Sequence, residues 1–177
     1  KPADPSIWDT GLWPWIPAVE RLTLEIRDEL EAYLKIATLP HVAEVSGFAP
    51  DSDGARESVP VETGAWRTVV LFANGRWVDE TASHFPVTRS CFERIHPKAN
   101  VGFSALEAHS HIAAHVGANR GALRFQLPII VPGRSGQCRI RIGDDMVHWE
   151  EGTGIVFDLS TDHEAWNETD DLRVLLM

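Results

Sequence analysis

Two histidines and one arginine in the second half of the chain have the side-chain chemistry of a metal site beside a carboxylate site. His115 lies in the segment AHVGAN, His163 in TDHEAWN and Arg173 in DDLRVLLM. Two imidazoles that meet in a fold can hold a divalent transition metal. A guanidinium ten residues beyond the second imidazole can bind a carboxylate next to that metal. This combination is typical of an iron oxygenase that takes a small keto acid as co-substrate.

The remaining histidines are weaker candidates for metal ligands. Four stand alone in turn-like or alternating contexts and are interpreted as surface or capped residues: His41, His84, His96 and His148. His109 and His111 alternate as neighbours on one strand face do, and His115 is a further even step along the strand. Three imidazoles on one face would indicate a three-histidine, cupin-like site. An oxygenase with a single metal needs only two or three protein ligands, so His115 and His163 are preferred.

The surroundings of Arg173 predict a buried guanidinium. Its neighbours Leu172 and Val174 are apolar, and a buried arginine needs a carboxylate partner. Two partners remain open, an internal Asp or Glu and the distal carboxylate of 2-oxoglutarate held by a bidentate fork. The polar stretch 167–171 predicts a turn, so that 163–166 and 172–177 pair as a hairpin and bring His163 close to Arg173.

The composition excludes several classes of partner. The 177 residues fit one domain, 1–177, with 44% hydrophobic and 24% charged residues and no apolar run long enough to span a membrane. A net charge of -10 argues against nucleic acid or an anionic membrane surface, whereas a local arginine pocket can still attract an anionic small-molecule or peptide substrate. No feature indicates an oligomeric state.

The two cysteines and the N-terminus bear on the compartment. Cys91 and Cys138 are expected to be reduced thiols of a cytoplasmic protein, with a single disulfide as the alternative. No signal peptide is visible, although a chain that begins at Lys1 leaves room for a processed leader. Asn167-Glu168-Thr169 matches the glycosylation sequon, a pattern that is common by chance.

The N-terminal part of the chain is predicted to support a β-rich core. Residues 1–45 hold an irregular arm and then a helix from Pro17 to about Ile36, because apolar residues recur there at spacings of three and four. Residues 46–64 are rich in Gly, Pro, Ser and Asp and are predicted to form a long loop.

Short strands with turns between them follow from Trp66 onward. The Asn74-Gly75 pair predicts a hairpin turn. The strand candidates are 66–72, 76–78, 101–106, 111–116, 122–131, 137–142, 145–149, 154–158 and 172–177. Closely spaced short strands indicate an antiparallel sandwich or jelly roll with a helix layered on it.

Several segments resemble the aspartyl/asparaginyl β-hydroxylase family, in order and at matching spacing. They are HVGAN at 115–119, LRFQLP at 123–128, CRIRIG at 138–143, WEEG at 149–152, FD at 157–158, DHEAWN at 162–167 and LRV at 172–174. The resemblance covers about residues 66–177 well and the N-terminal arm and helix poorly. It implies a mainly β fold, a double-stranded β-helix of the jelly-roll or cupin-like kind over 66–177 with an N-terminal supporting helix. It also implies a dioxygenase that uses Fe(II), 2-oxoglutarate and O2 to hydroxylate its substrate and releases succinate.

The resemblance assigns the metal to the two histidines. His115 and His163 match the iron-ligating, catalytic histidines of the family. Gly117 falls where most 2-oxoglutarate oxygenases carry an acidic third ligand, a carboxylate that this family lacks and replaces by water.

Five further residues are implied as cofactor-binding. Arg173 matches the arginine that pairs with the far carboxylate of 2-oxoglutarate, and Ser104 matches its hydrogen-bonding partner. Arg124 matches a pocket arginine that contacts co-substrate or substrate, and Trp66 a tryptophan near the site. Gln126 departs from the pattern, because better-known members have a histidine there; a glutamine still donates hydrogen bonds to a carboxylate.

The substrate stays open at this level. An aspartyl or asparaginyl residue, or a related amino-acid-derived molecule, is the first expectation, and a lipid acyl chain is an alternative. Because the metal triad is incomplete and Gln126 replaces histidine, a non-catalytic cupin-like binding or sensor module is a further alternative.

Overall fold

A computed structural model describes residues 5–45, 61–95, 100–117 and 121–177. Most of the predicted loop, residues 46–60, lies outside the described residues, as do His96 and Asn119. No helix in the described part of the chain is long and apolar enough to cross a membrane.

The N-terminal helical region consists of two helices where the sequence predicts one. Helix α1 spans Ile16–Glu20 and α2 spans Thr23–Leu34. The break lies at Leu22, and the Thr23 hydroxyl donates a hydrogen bond to the Glu20 carbonyl (2.6 Å), so a side chain competes with the backbone bonds that would join the two helices. The predicted apolar face is buried at Val19, Ile26 and Leu30.

Two short helices follow the first hairpin. Helix α3 spans Asp79–Ala82 and α4 spans Pro86–Glu93. The Glu29 carboxylate of α2 accepts hydrogen bonds from the Val87 and Thr88 amides in the first turn of α4, and from the Thr88 hydroxyl. This contact ties α4 to α2.

Most strands of the described chain match predicted strands, except the first, which lies in the arm predicted to be irregular, and the second, which lies in the predicted loop. The strands are β1 Ile7–Trp8, β2 Val61–Thr63, β3 Trp66–Ala73, β4 Arg76–Trp77, β5 Val101–Leu106, β6 Ser110–His115, β7 Leu123–Ile130, β8 Cys138–Ile142, β9 Asp145–His148, β10 Ile155–Asp158, β11 His163–Asn167 and β12 Arg173–Leu176. The predicted Asn74-Gly75 hairpin has φ values of 52° and 75°, as a type I′ turn requires.

These strands form two facing antiparallel sheets. The larger has the order β1-β10-β7-β12-β5-β3-β4 and the smaller β2-β6-β11-β8-β9. One apolar cluster fills the space between the sheets and includes Leu106, Ile140 and Phe157. A second cluster packs α2 against the outer face of the larger sheet, with Leu30 and Phe103 at its centre. The predicted double-stranded β-helix with an N-terminal supporting helix is confirmed.

Two local predictions are wrong. Residues 163–166 and 172–177 do not form a hairpin, because β11 pairs with β6 and β8 in the smaller sheet and β12 pairs with β5 and β7 in the larger one. The turn between them therefore crosses from one sheet to the other. Part of the predicted loop is also a strand, since Val61–Thr63 pairs with β6, a partner far away in sequence.

A single buried amide holds the crossing between the sheets. Asn167 at the end of β11 is 0% exposed. Its Nδ2 donates to the carbonyls of Leu106 (3.0 Å), Glu107 (2.9 Å) and Asp171 (2.8 Å), and its Oδ1 accepts from the Thr169 hydroxyl (2.7 Å). Cys138, whose thiol donates to the same oxygen, is free, and so is Cys91. The disulfide considered as the alternative is therefore absent from this structure.

Candidate functional site

A cavity opens between the two sheets and has a volume of about 120 Å³, several times the roughly 10–15 Å³ that one water molecule requires. The larger sheet contributes side chains from β3, β5, β7, β10 and β12, and the smaller sheet from β6, β8 and β11. The structure brings together all seven residues that the sequence singled out: Trp66, Ser104, His115, Arg124, Gln126, His163 and Arg173.

The two histidines lie side by side on neighbouring strands of the smaller sheet. His115 on β6 pairs directly with His163 on β11, and their ring centroids are 4.2 Å apart. The Nδ1 atom of each ring lies 2.8 Å from a backbone carbonyl two residues earlier, Ala113 for His115 and Thr161 for His163. A ring that donates its Nδ1 proton to a carbonyl carries the lone pair on Nε2. Both Nε2 atoms are thus available to one metal ion.

A β-bulge turns His115 into the cavity. The pairing steps from Ala165↔Ile112 to His163↔His115, so three residues of β6 stand opposite two of β11. His115 therefore shares the inward face with Ile112, and both line the cavity. His111 falls on the outer face, where it stacks on Trp166 with ring centroids 5.1 Å apart.

The three-histidine site that was weighed as an alternative is therefore not formed by the described residues. His111 Nε2 lies 2.7 Å from a Glu164 carboxylate oxygen on the outer face. His109 is exposed, adopts a positive φ of 52° and lies 2.9 Å from Asp170. Within the described residues, no group of three or more His, Cys, Asp or Glu side chains is placed to hold a metal.

His163 is held in the neutral form that a metal ligand needs. Burial lowers the pKa of His163 to about 4, against the opposing effect of its hydrogen bond to Thr161. The nearby His115 and Arg124 contribute to this lowering. At neutral pH the ring is therefore uncharged and can coordinate without first releasing a proton.

Gly117 leaves little space for a third protein ligand. Its amide donates to the Leu159 carbonyl (2.7 Å). A Cβ added at Gly117 would lie 3.0 Å from the Leu159 Cβ and 3.1 Å from its carbonyl oxygen. A carboxylate side chain at this position thus requires Leu159 to shift.

Arg173 is a buried cation without a carboxylate partner in the described chain. It is 1% exposed, and no described Asp or Glu lies within 4.0 Å of it. Its Nη1 donates to the Ser104 carbonyl (3.3 Å), and its Nε has no hydrogen-bond partner in the described structure. Burial lowers the pKa of Arg173 to about 9, so the group stays protonated at neutral pH. Two partners were considered for Arg173, an internal Asp or Glu and a carboxylate of 2-oxoglutarate. The described residues do not supply the first of these.

Arg124 brings a second cation to the cavity. It lies on β7 opposite Phe157 of β10, and none of the ion pairs of the described residues includes it. Burial lowers the pKa of Arg124. Two guanidinium groups without acidic partners in the described chain make this cavity suited to anions.

Ser104 and Trp66 lie against the same wall. Trp66 Nε1 donates to the Ser104 hydroxyl (2.9 Å). The contact of Ser104 with Arg173 uses its backbone carbonyl, and its hydroxyl, which accepts from Trp66, still has its own proton to donate.

Trp149 is a cavity residue that sequence reasoning missed. Its ring lies 4.6 Å from the Arg173 guanidinium carbon, and its Nε1 donates to Gln126 Oε1 (3.3 Å). The residue belongs to the WEEG segment, but a single sequence offers no sign that distinguishes it from a core tryptophan. Phe157, whose ring packs edge-on against His163 at 5.2 Å, was missed for the same reason.

The donor set fits a divalent metal together with a small dicarboxylate. The imidazole Nε2 atoms lie on the smaller sheet, and the unpartnered Nε of Arg173 lies on the larger one. The remaining wall is apolar and includes Ile140, Ala165 and Leu175. Such a site binds a charged ligand at a few points and excludes water elsewhere.

Comparisons with known proteins find a matching family and several relatives. Residues 20–177 match the family model described as aspartyl/asparaginyl beta-hydroxylase. The ornithine lipid ester-linked acyl 2-hydroxylase of Rhizobium tropici is 32% identical over 177 residues, which cover 99% of this chain and 60% of that protein. The aspartyl/asparaginyl beta-hydroxylase of Homo sapiens is 25% identical over 174 residues, covering 96% and 21%. The chain thus spans less than two thirds of the length of either relative.

One solved structure gives a further likeness at low identity. A 2OG-Fe(II) oxygenase family oxidoreductase from Burkholderia pseudomallei superimposes with a TM-score of 0.46 at 14% identity, over 85% of this chain and 74% of that one.

Proposed function

This chain belongs to the aspartyl/asparaginyl β-hydroxylase family, and we propose that it is an Fe(II)- and 2-oxoglutarate-dependent hydroxylase. The observation that carries the proposal is Arg173, a fully buried cation whose Nε has no partner in the described structure. Leaving such a group unpaired costs stability. A carboxylate of the co-substrate removes that cost, whereas no described side chain supplies a carboxylate that would remove it.

The two histidines would hold the iron through their Nε2 atoms. The bound iron, with 2-oxoglutarate and O2, supplies the oxidising power to hydroxylate a C–H bond while 2-oxoglutarate loses CO2 and becomes succinate. Nδ1 contacts with Ala113 and Thr161 fix both rings in the ligating orientation.

The larger sheet would position the co-substrate. Arg173 binds the far carboxylate as a bidentate fork, with Ser104 and Trp66 packed beside it. Gln126 donates its amide hydrogens to the near carboxylate. Arg124 orients an anionic group of co-substrate or substrate, and the apolar wall keeps water away from the reacting bond.

The first candidate substrate is an aspartyl or asparaginyl residue of a peptide, or a related amino acid. Its support is the cation of Arg124, which has no described acidic partner and can receive a substrate carboxylate or amide oxygen.

The second candidate substrate is a lipid acyl chain. Val116 and Leu123 are 58% and 40% exposed and adjoin the cavity residues His115 and Arg124 in sequence. Exposed apolar side chains beside a cavity favour an apolar substrate, and the relative from Rhizobium tropici is named as an acyl hydroxylase.

The test is succinate release by protein reconstituted with Fe(II). It is supplied with 2-oxoglutarate and either Asp- or Asn-containing peptides or acylated ornithine lipids, and the substrate that couples turnover to hydroxylation is identified by mass spectrometry. A His163→Ala variant is the control and should release no succinate. Binding of 2-oxoglutarate without succinate from any substrate would indicate a binding or sensor module. Iron-loaded protein that neither binds nor consumes 2-oxoglutarate would contradict the proposal.

A further inference from the structure

The Trp149 side chain contacts two polar residues of the larger sheet, Gln126 and Arg173. It is 5% exposed and directly follows β9, the edge strand of the smaller sheet. Its indole reaches the cavity and contacts Gln126 of β7 and Arg173 of β12. One side chain from the smaller sheet thus contacts both groups on the opposite wall.

The indole N–H determines which way the Gln126 amide points. An indole nitrogen donates and cannot accept, so the oxygen of Gln126 faces Trp149 across 3.3 Å. The amide nitrogen then faces away, and its contact is the Met177 sulfur at 3.9 Å. Because a thioether is a weak acceptor, the donor side of Gln126 stays available to a carboxylate.

The indole ring determines where the Arg173 guanidinium lies. The guanidinium carbon is 4.6 Å from the ring centroid, within the range of a cation–π contact. The hydrogen bond from Nη1 to the Ser104 carbonyl is long, at 3.3 Å, and Nε has none among the described groups. The ring is therefore a second contact, beside the Ser104 carbonyl, that holds this side chain.

The backbone around Trp149 is itself anchored to the larger sheet and the helices. The Gly152 amide donates to the Pro128 carbonyl (3.0 Å). The Glu151 carboxylate accepts from the Val131 amide (2.8 Å) and pairs with Arg27 of α2 (2.9 Å). The indole is thereby held in a fixed position against Gln126 and Arg173.

We propose that Trp149 is a positioning residue that orients Gln126 and Arg173 as one unit for the two carboxylates of a keto diacid. This inference rests on the proposed function, since the keto diacid is its co-substrate. The competing role for Trp149 is simple core packing, which predicts a change in stability without a selective change in ligand affinity.

The test measures binding of 2-oxoglutarate by calorimetry with Mn(II) in place of iron and without O2, so that no turnover occurs. Trp149→Phe keeps an aromatic ring beneath Arg173 and removes the N–H together with the five-membered half of the indole. We expect 2-oxoglutarate to bind roughly 5- to 10-fold more weakly, the usual effect of losing one buried hydrogen bond. Gln126→Met should weaken binding by at least as much, because it removes the amide itself.

The double variant separates positioning from packing. If the N–H acts only by orienting Gln126, then Trp149→Phe has no further effect on affinity in the Gln126→Met background. Trp149→Leu, which also removes the ring beneath Arg173, should weaken binding more than Trp149→Phe does. The matched control is Trp166→Phe, because Trp166 lies on the outer face between His111 and Arg139. This control should bind 2-oxoglutarate as the unmodified protein does.

Three outcomes overturn the inference while leaving the proposed function intact. They are an affinity of Trp149→Phe within twofold of the unmodified protein, additive effects in the double variant, and an equal loss in Trp166→Phe. Failure of the unmodified protein to bind 2-oxoglutarate would instead contradict the proposed function. If Trp149→Phe does not fold, Gln126→Met decides: unchanged affinity, or unchanged indole N–H resonances by NMR, overturns the inference.

Discussion

Among the side chains of the cavity, Arg173 has the least favourable electrostatic environment. Its charge is desolvated, its Nε lacks a partner in the described structure, and no described carboxylate is near it. A buried charge without a counter-charge destabilises a fold, and burial lowers the pKa of Arg173 to about 9 for the same reason. The residue is thus better suited to binding a ligand than to stabilising the empty protein.

Replacing Arg173 by methionine should separate the effect of this residue on ligand binding from its effect on the stability of the empty protein. We expect Arg173→Met to lose 2-oxoglutarate affinity by about 100-fold or more, because two charge-assisted hydrogen bonds disappear. The free energy of unfolding should stay the same or rise by about 1–3 kcal/mol. Calorimetry and urea unfolding measure the two quantities. Arg139→Met, on the outer face beside Glu168, is the control and should leave affinity unchanged. A large loss of stability with affinity retained would mark Arg173 as a structural arginine.

His163 should make the metal-free protein sensitive to acid. The pKa of His163 is lowered from 6.5 to about 4 in the folded chain, so the unfolded chain binds a proton more readily. The associated stability is present above pH 6.5 and is lost as the pH falls towards 4, to a total of roughly 3 kcal/mol. Urea unfolding with a chelator present measures the free energy of unfolding of the unmodified protein and of His163→Gln. The difference between these two free energies should change between pH 6.5 and pH 4. The same substitution at the exposed His148 should not alter the pH dependence, and identical curves for His163→Gln would refute the expectation.

At the scale of elements, α4 depends on a carboxylate from another helix. Glu29 of α2 accepts the Val87 and Thr88 amides at the start of α4, which have no partner within their own helix. We expect Glu29→Gln to lower the free energy of unfolding by about 1–2 kcal/mol and to leave 2-oxoglutarate affinity unchanged, because Glu29 does not line the cavity. Glu31→Gln removes an exposed ion pair with Arg27 and should cost less than about 0.5 kcal/mol. Equal losses in the two variants would contradict the role of Glu29.

The strand pattern is readable from the sequence because β3 and β5 are short, mostly apolar runs, side chains alternate along β8, and turn residues such as Asn74-Gly75 separate the strands. The two-residue periodicity of a strand does not hold along β6, because the bulge before His115 inserts one residue and turns His115 to the opposite face of the sheet. Nothing in the segment AHVGAN predicts that insertion. The position of His115 therefore follows from the pairing of β6 with β11 and not from β6 alone.

The pairing of β11 and β12 shows a second limit. A polar turn between two short strands usually predicts a hairpin, whereas here Asn167 bonds the turn to residues of β5 and the chain changes sheets. The seven cavity residues were still found, because they match the motifs of a family and the family shares the fold. Trp149 was missed because its role depends on two partners from distant strands.

At the scale of the whole molecule, each sheet carries half of the site. The imidazoles belong to the smaller sheet, and Arg124, Gln126 and Arg173 to the larger one. A metal and a dicarboxylate bound together would connect the sheets, which either ligand alone would not do. That residues 1–177 form a single domain stays a prediction.

We therefore expect Mn(II) and 2-oxoglutarate to stabilise the protein cooperatively. At about 100 times its Kd, a ligand raises the free energy of unfolding by about 2.7 kcal/mol. The rise in the free energy of unfolding with Mn(II) and 2-oxoglutarate together should exceed the sum of the rises with each ligand alone. Urea unfolding without O2 measures these values. His115→Ala should abolish the excess and keep a weak effect of 2-oxoglutarate alone. Strictly additive rises in the unmodified protein would mean that the two ligands bind independently.

The amide that closes the sheet crossing also constrains how the protein can be produced. Asn167 heads the Asn167-Glu168-Thr169 sequon, yet it is 0% exposed and its Nδ2 donates to three carbonyls. A sugar on that nitrogen would replace one of its two hydrogens, break the contacts which that hydrogen makes, and force a bulky polar group between β11 and the start of β12. A secretory host that attaches a glycan during synthesis would thus yield chains unable to bring the sheets together. Soluble protein from any host should carry an unmodified Asn167.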